Sequence, residues 1–286
     1  KDLNSMLNFL RKLVCICKMS QRNFQRLIKL EDVSSGDNKD EDIAIDEVET
    51  DGNESDDSQV STSQTSRFAN LQNIQFDFNP YDQDICVLGA KNSGKSYLAN
   101  ILMKGLHGVN VWVYDFNSQF HSSKAIVFHD LTKMLELYDE AKRGHYILQP
   151  YNNSEHTFSR FCAEGFKRGN LVLIMDEAHS FLTKQKQLKE FNNIILSGRP
   201  RGISCVTLSS RPASLPNNVL TGAKHVFAFK LNLESDIKFL EGYLGDDVWI
   251  LMPPDKRHKL RDEPELPEHT FFYRDMDKSQ GMIGKV

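Results

Sequence analysis

Asp84-Ile-Cys-Val-Leu-Gly-Ala-Lys-Asn-Ser-Gly-Lys-Ser96 is the stretch that decides the fold. Residues 85–88 form a short apolar run bounded by polar residues, the pattern of a buried strand. Gly89, Gly94, Lys95 and Ser96 then fit G-x-x-x-x-G-K-[ST], the phosphate-cradling loop. Backbone N–H groups must curl around an anion there, so no bulky side chain can intrude at the glycines. A helix must start where the loop ends, with its positive pole toward the anion. Tyr97-Leu-Ala-Asn-Ile-Leu-Met103 supplies that helix with apolar residues on one face. The motif therefore assigns the cradle to Gly89, Ala90, Lys91, Asn92, Ser93, Gly94, Lys95 and Ser96. Lys95 would reach the β- and γ-phosphates of ATP, and Ser96 would offer its hydroxyl to Mg²⁺.

Outward from this loop, strand and helix patterns alternate. Strands are expected near 84–88, 110–115, 124–128, 145–149, 170–175, 203–209, 224–231 and 269–274. Helices are expected near 95–105, 130–143, 155–167, 186–197, 215–221, 234–244 and 246–252. Strands separated by helical segments imply an α/β fold with a mostly parallel central sheet and helices on both faces. With the phosphate loop in place, the pattern resembles a RecA-like P-loop NTPase, expected to occupy residues 68–286.

Leu171-Val-Leu-Ile-Met175 is continuously apolar, as a central parallel strand buried on both faces should be, and it ends in Asp176-Glu177. An Asp at the carboxyl end of such a strand can hold Mg²⁺ beside the phosphate loop. Glu177 can then orient and deprotonate an attacking water, a carboxylate that a hydrolase needs and a mere nucleotide switch does not. Asp176-Glu-Ala-His179 also spells DEAH, but a DEAH-box helicase requires a second motor domain, and about 75 residues follow Ser210.

Residues 198–216 read Gly-Arg-Pro-Arg-Gly-Ile-Ser-Cys-Val-Thr-Leu-Ser-Ser-Arg-Pro-Ala-Ser-Leu-Pro. This block resembles the HerA/FtsK superfamily of DNA-pumping ATPases, in which an Arg-containing turn enters the strand after the acidic pair. That strand ends there in a polar sensor followed by Arg-Pro. The resemblance covers about residues 80–286, and the lean body is similar to the small genome-packaging ATPases of double-stranded DNA viruses. It implies ATP hydrolysis coupled to translocation of double-stranded DNA by a homo-oligomeric ring, a hexamer, with a capsid, portal or nuclease partner. Residue by residue, Lys95, Ser96, Asp176 and Glu177 match the family's phosphate, metal and water-activating groups. Ser210 stands where members carry a Gln sensor, and Arg199 or Arg201 matches the arginine inserted into a neighbour's site. Two other functions stay open: a HerA-like cellular or plasmid translocase, and a nucleotide-gated assembly or secretion factor that does not move DNA. Lys184, Lys186 and Lys189 form a basic insertion after the acidic pair, expected to be flexible and able to track DNA phosphates without reading sequence.

The N-terminal part has a different character. Residues 1–30 carry a net charge of +6, with Leu3, Met6, Leu7, Leu10, Leu13 and Val14 on one helical face. Such a face suits docking on a partner or a membrane surface; a product beginning at Met19 would lack it. Residues 31–67 form an acidic linker whose first part, 31–57, carries −12, and its composition predicts disorder. The whole chain carries −4, so the catalytic body is close to neutral. No run reaches the roughly 18 apolar residues that a membrane span needs. Cys15, Cys17, Cys86, Cys162 and Cys205 show no zinc spacing and no disulfide pattern, which points to an intracellular location.

Overall fold

The computed structural model describes residues 78–141, 143–278 and 281–286. The expected basic segment 1–30 and acidic linker 31–67 lie outside the described residues.

Among the described residues, nine strands form one sheet. They are β1 (Asp84–Leu88), β2 (Val111–Tyr114), β3 (Ala125–Phe128), β4 (His145–Leu148), β5 (Leu171–Met175), β6 (Ile203–Ser209), β7 (Ala223–Phe229), β8 (Thr270–Asp275) and β9 (Met282–Lys285). Their order is β3-β4-β2-β5-β6-β1-β7-β8-β9. Every pair from β3 to β7 is parallel, and β8 and β9 add an antiparallel edge. Every residue of β1, β2, β5 and β6 is buried, as strands covered on both faces should be.

The α-helices are α1 (Lys95–Gly105), α2 (Leu131–Ala141), α3 (Glu155–Arg168), α4 (Lys189–Ser197), α5 (Asn217–Gly222) and α6 (Glu234–Leu244). Alternation along the strands sends side chains to opposite faces and builds two cores. Ile85, Val87, Val113, Ile174 and Val206 meet α1 through Leu98, Ala99 and Leu102. Cys86, Trp112, Tyr114, Leu173 and Cys205 meet the other five helices. Helices thus cover both faces, but unevenly. Residues 246–252, expected as a helix, instead form a tighter 3₁₀ segment, Asp246–Leu251. The final strand β9 has no counterpart in the sequence expectations. Its pairing with β8 creates the edge, and a four-residue strand gives too little pattern to recognise alone.

The register lines up the chemistry. Leu88 lies opposite Ser209, Met175 opposite Thr207, and Tyr114 opposite Met175. Gly89, Ser210, Asp176 and Asp115 therefore leave the sheet at one edge, the carboxyl ends of four adjacent strands. In open parallel sheets ligands bind outside that edge.

Candidate active site

The loop between β1 and α1 is pinned at both ends. Gly89 N–H donates to Ser209 O at 3.1 Å and Ala90 N–H to Lys230 O at 2.8 Å, so the loop is slung between β6 and β7. Gly89 (φ +150°) and Gly94 (φ +111°) adopt backbone that disfavours any side chain. A Cβ at Gly89 would lie 2.6 Å from Phe229 Cβ, and one at Gly94 would lie 2.9 Å from Phe229 Cε1. Phe229, buried at the end of β7, is the wall that makes both positions glycine. Among the described residues nothing accepts from the N–H groups of Lys91, Asn92 or Gly94, and no side chain caps α1. Those free donors at a helix N-terminus fit a phosphate chain.

Lys95 opens α1 and is buried, with its Nζ 3.0 Å from Ala90 O across the loop. Burial lowers its pKa, while Glu177 and Asp176 pull it upward. Asp176 and Glu177 leave the end of β5 in different directions. Asp176 is 3% exposed; its Oδ2 accepts a long bond of 3.4 Å from Asn117, and its Oδ1 is buried without a partner. Burial, then the neighbouring Glu177 and Asp115, raise its pKa to about 6. An unpartnered carboxylate oxygen beside a lysine and a helix-start hydroxyl fits a divalent cation, which would supply the missing charge.

Glu177 sits at φ +47°, a left-handed conformation unusual for a residue with a side chain. The turn that follows, Ala178–Ser180, is anchored below by Phe181, which stacks on Phe158 of α3 at 4.4 Å. Glu177 Oε2 accepts from Ser210 Oγ at 2.9 Å and lies 3.1 Å from His179 Nδ1. Burial pushes its pKa up, but His179, Lys95 and Ser210 together outweigh this and hold it at about 2. Its carboxylate is thus ionised throughout the ordinary pH range.

A cavity of about 440 Å³ joins Lys91, Gln119, Asp176, Glu177, His179 and Ser210. Of the residues singled out in the sequence, Lys91, Asp176, Glu177 and Ser210 line this cavity, while Lys95 and Ser96 start α1 beside it, Ser96 bonded to the lining residue Gln119. What the sequence reading missed is the segment after β2. Asp115, fully buried, accepts from Gln119 N–H at 2.9 Å, Phe120 N–H at 3.0 Å and Gln149 Nε2 at 2.9 Å. The segment so clamped brings Asn117 to Asp176 and Gln119 to the Ser96 hydroxyl. Both candidate metal ligands are therefore held from one loop. A signal was available: Asp115 ends an apolar strand just as Asp176 does.

Arg199 and Arg201 stand elsewhere. Their turn precedes β6, at the opposite edge of the sheet from the phosphate loop. Arg201 donates to the carbonyls of Phe166 (2.7 Å) and Lys167 (2.8 Å) near the end of α3, and its guanidinium lies 4.9 Å from the Phe166 ring. It caps carbonyls that the helix leaves unbonded. The Arg199 guanidinium donates to Gly222 O at 2.8 Å. The basic insertion forms a compact turn. Thr183 and Lys186 exchange backbone bonds, and Lys184 N–H donates to Ser214 O at 3.1 Å. Lys186 pairs with Glu155, Lys184 Nζ lies 4.2 Å from the Phe239 ring, and Lys189 opens α4.

Residues 81–210 match the family model described as the AAA domain. The fold is similar to that of the genome packaging NTPase B204 from Sulfolobus turreted icosahedral virus 2. For its complex with sulfate the TM-score is 0.57 at 18% identity, covering 73% of this chain and 98% of that one. For the AMPPCP complex the values are 0.55, 20%, 73% and 99%. For the ATP-gammaS complex they are 0.55, 21%, 73% and 98%. No curated protein matches this chain. Fold and loop define the class: this is a P-loop NTPase fold, similar over residues 81–210 to an AAA domain. The likeness to the packaging NTPase is one of fold.

Proposed function

We propose that this chain is an ATP-hydrolysing motor that translocates double-stranded DNA, most simply as a viral genome-packaging ATPase. The observation that carries hydrolysis is the divergent pair at the end of β5. Asp176 presents an unpartnered buried oxygen, and Glu177 is held ionised by Ser210 and His179. Lys91, Asn92 and Gly94 amides with Lys95 bind and orient the phosphates, and Ser96 and Asp176 hold Mg²⁺. Mg²⁺ held there would supply charge to screen the phosphates. Glu177 positions the attacking water and accepts its proton, while Ser210 keeps that carboxylate aimed. Arg199, on the far edge of the sheet, serves the next subunit's site across a ring, taken as a hexamer. Lys184 and Lys189 offer charge to DNA phosphates. The translocation reading rests on the HerA/FtsK resemblance and on the likeness to a packaging NTPase, and it implies an intracellular setting with a capsid, portal or nuclease partner.

The test is ATP hydrolysis with and without double-stranded DNA. Mg²⁺-dependent turnover that DNA stimulates is expected, with Lys95→Ala inactive and Glu177→Gln binding ATP without turning it over. Turnover indifferent to DNA would favour an assembly factor. Wild-type rates in Glu177→Gln would remove Glu177 as the base.

A further inference from the structure

The two edges of the sheet differ in charge. The acidic catalytic groups leave the carboxyl ends of the parallel strands. The amino ends, on the opposite edge, collect cations. Lys124 lies just before β3, Arg143 before β4, Lys104 in the last turn of α1, Lys167 near the end of α3 ahead of β5, and Arg199 and Arg201 before β6. All are exposed. In the sheet order β3-β4-β2-β5-β6 they form a row about 20 Å long, at about 4.8 Å per strand.

Most carboxylates along this edge are already engaged. Asp139 and Glu164 are held by Arg168, Asp275 and Asp277 are held by Lys224, and Asp84 is buried. Asp82 and Glu140 stand exposed there. Against these two acids, no cation of the row makes an ion pair with a described residue. Neighbouring groups feel the excess: burial first, and Lys124 second, lower the pKa of His107. Like charges at these separations repel one another, so an anionic chain lying along them is favoured.

The protein itself carries such a chain. β1 begins at this same edge beside β6, so residues 78–83 enter the fold at one end of the row. Gln83 N–H donates to Ser204 Oγ at 3.1 Å and ties that entry to β6. Ahead of it in the sequence lie residues 31–57, with a net charge of −12. Residues 1–30 carry +6, half of what would neutralise them. Residues 58–77 join the acidic segment to the fold and reach up to about 70 Å when extended, well beyond the length of the row. Tethering raises the local concentration of the segment toward the millimolar range, where weak ionic contacts suffice.

We propose that the amino-terminal edge of the sheet is a docking surface for residues 31–57 of the same chain, the acidic segment lying along the row from Arg199 toward Lys124. The contact needs neither nucleotide nor DNA and does not rest on the motor reading. While docked, the segment covers Arg199, which must be uncovered before it can serve any other anion.

The experiment compares full-length wild type with one full-length variant combining Asp40→Asn, Glu41→Gln, Asp42→Asn, Asp46→Asn, Glu47→Gln and Glu49→Gln. Lysine amines are acetylated with acetic anhydride and read by mass spectrometry. At about 20 mM NaCl, Lys104, Lys124 and Lys167 should react about 3-fold or more faster in the variant, and at about 0.5 M NaCl the difference should vanish. Lys256, exposed in the chain between the 3₁₀ segment and β8, should react alike in both proteins. Equal rates at the three row lysines overturn the proposal. So does a gain at Lys256 as large as theirs. Carbodiimide, which joins a carboxylate to an amine in contact, should link residues 31–57 of wild type to the same three lysines at low salt. In a mixture of ¹⁵N-labelled and unlabelled protein those links should lie within single chains. Links mainly between labelled and unlabelled chains would put the segment on a second copy and overturn docking within one chain. Links only to residues 1–30, or to Lys184 and Lys189 in place of the row, overturn it as well.

Discussion

Ser210 Oγ donates to Glu177 Oε2 at 2.9 Å, across a sequence separation of 33 residues. The residue that follows β6 therefore contacts the proposed base at the end of β5 directly. A hydroxyl is shorter than the amide expected at this place, and the contact is made because Glu177 bends toward β6 from its left-handed backbone (φ +47°).

The first prediction follows from that bond. Ser210→Ala removes one of the donors that hold the Glu177 pKa down to about 2, so that pKa must rise. The acidic limb of the kcat–pH profile should move to higher pH, and kcat should fall by about 10-fold with KM little changed, as for a misaimed base. Ser210→Thr, which restores the hydroxyl, should recover most of the rate. An unmoved pH profile in Ser210→Ala would mean that Ser210 does not tune the base.

Asp176 makes a pH-dependent contribution of the opposite kind. Its folded-state pKa of about 6 exceeds the ordinary carboxylate value near 3.8, because of burial, Glu177 and Asp115. The folded protein holds this proton better than the unfolded chain. Ionisation therefore opposes folding: the penalty is absent below about pH 4, grows toward pH 6 and is full above it, at about 3 kcal/mol. Without metal or nucleotide, Asp176→Asn should melt several degrees above wild type at pH 7.5, and the gap should close by about pH 4. Asp84, also raised to about 6, is common to both proteins and cancels. A variant melting below wild type at every pH would show that the ionised carboxylate is not strained.

The two arginines should separate. Arg201→Ala uncaps the end of α3 and forfeits the contact with Phe166, so it should cost about 1–2 kcal/mol of stability. Arg199→Ala forfeits one bond to Gly222 O and a charge near Asp84, so it should cost about 1 kcal/mol of stability, and it should lower turnover by on the order of 10³-fold if its guanidinium completes a neighbour's site. Mixing Arg199→Ala with Lys95→Ala subunits should then restore part of the activity, because each supplies what the other lacks. Mixed assemblies as inactive as their components would leave Arg199 an ordinary surface charge.

The phosphate loop and the acidic strand end were legible in the sequence for a local physical reason. A tight anion-binding turn demands glycine where φ is positive, and a doubly buried strand demands unbroken apolar residues, so each leaves its mark within a dozen positions. The alternation of elements likewise determined the class of sheet. Which strands became neighbours was decided only in three dimensions. β6 inserts between β1 and β5, and this brings Ser210 against Glu177 and spans the loop from Ser209 to Lys230. The clamp of Asp115 on Gln119 and Gln149, the capping of α3 by Arg201 and the unpartnered hydroxyl of Thr270 belong to the same category. Each is a matter of which polar groups meet after burial, and residue type alone does not say whether a buried donor or acceptor will find its partner.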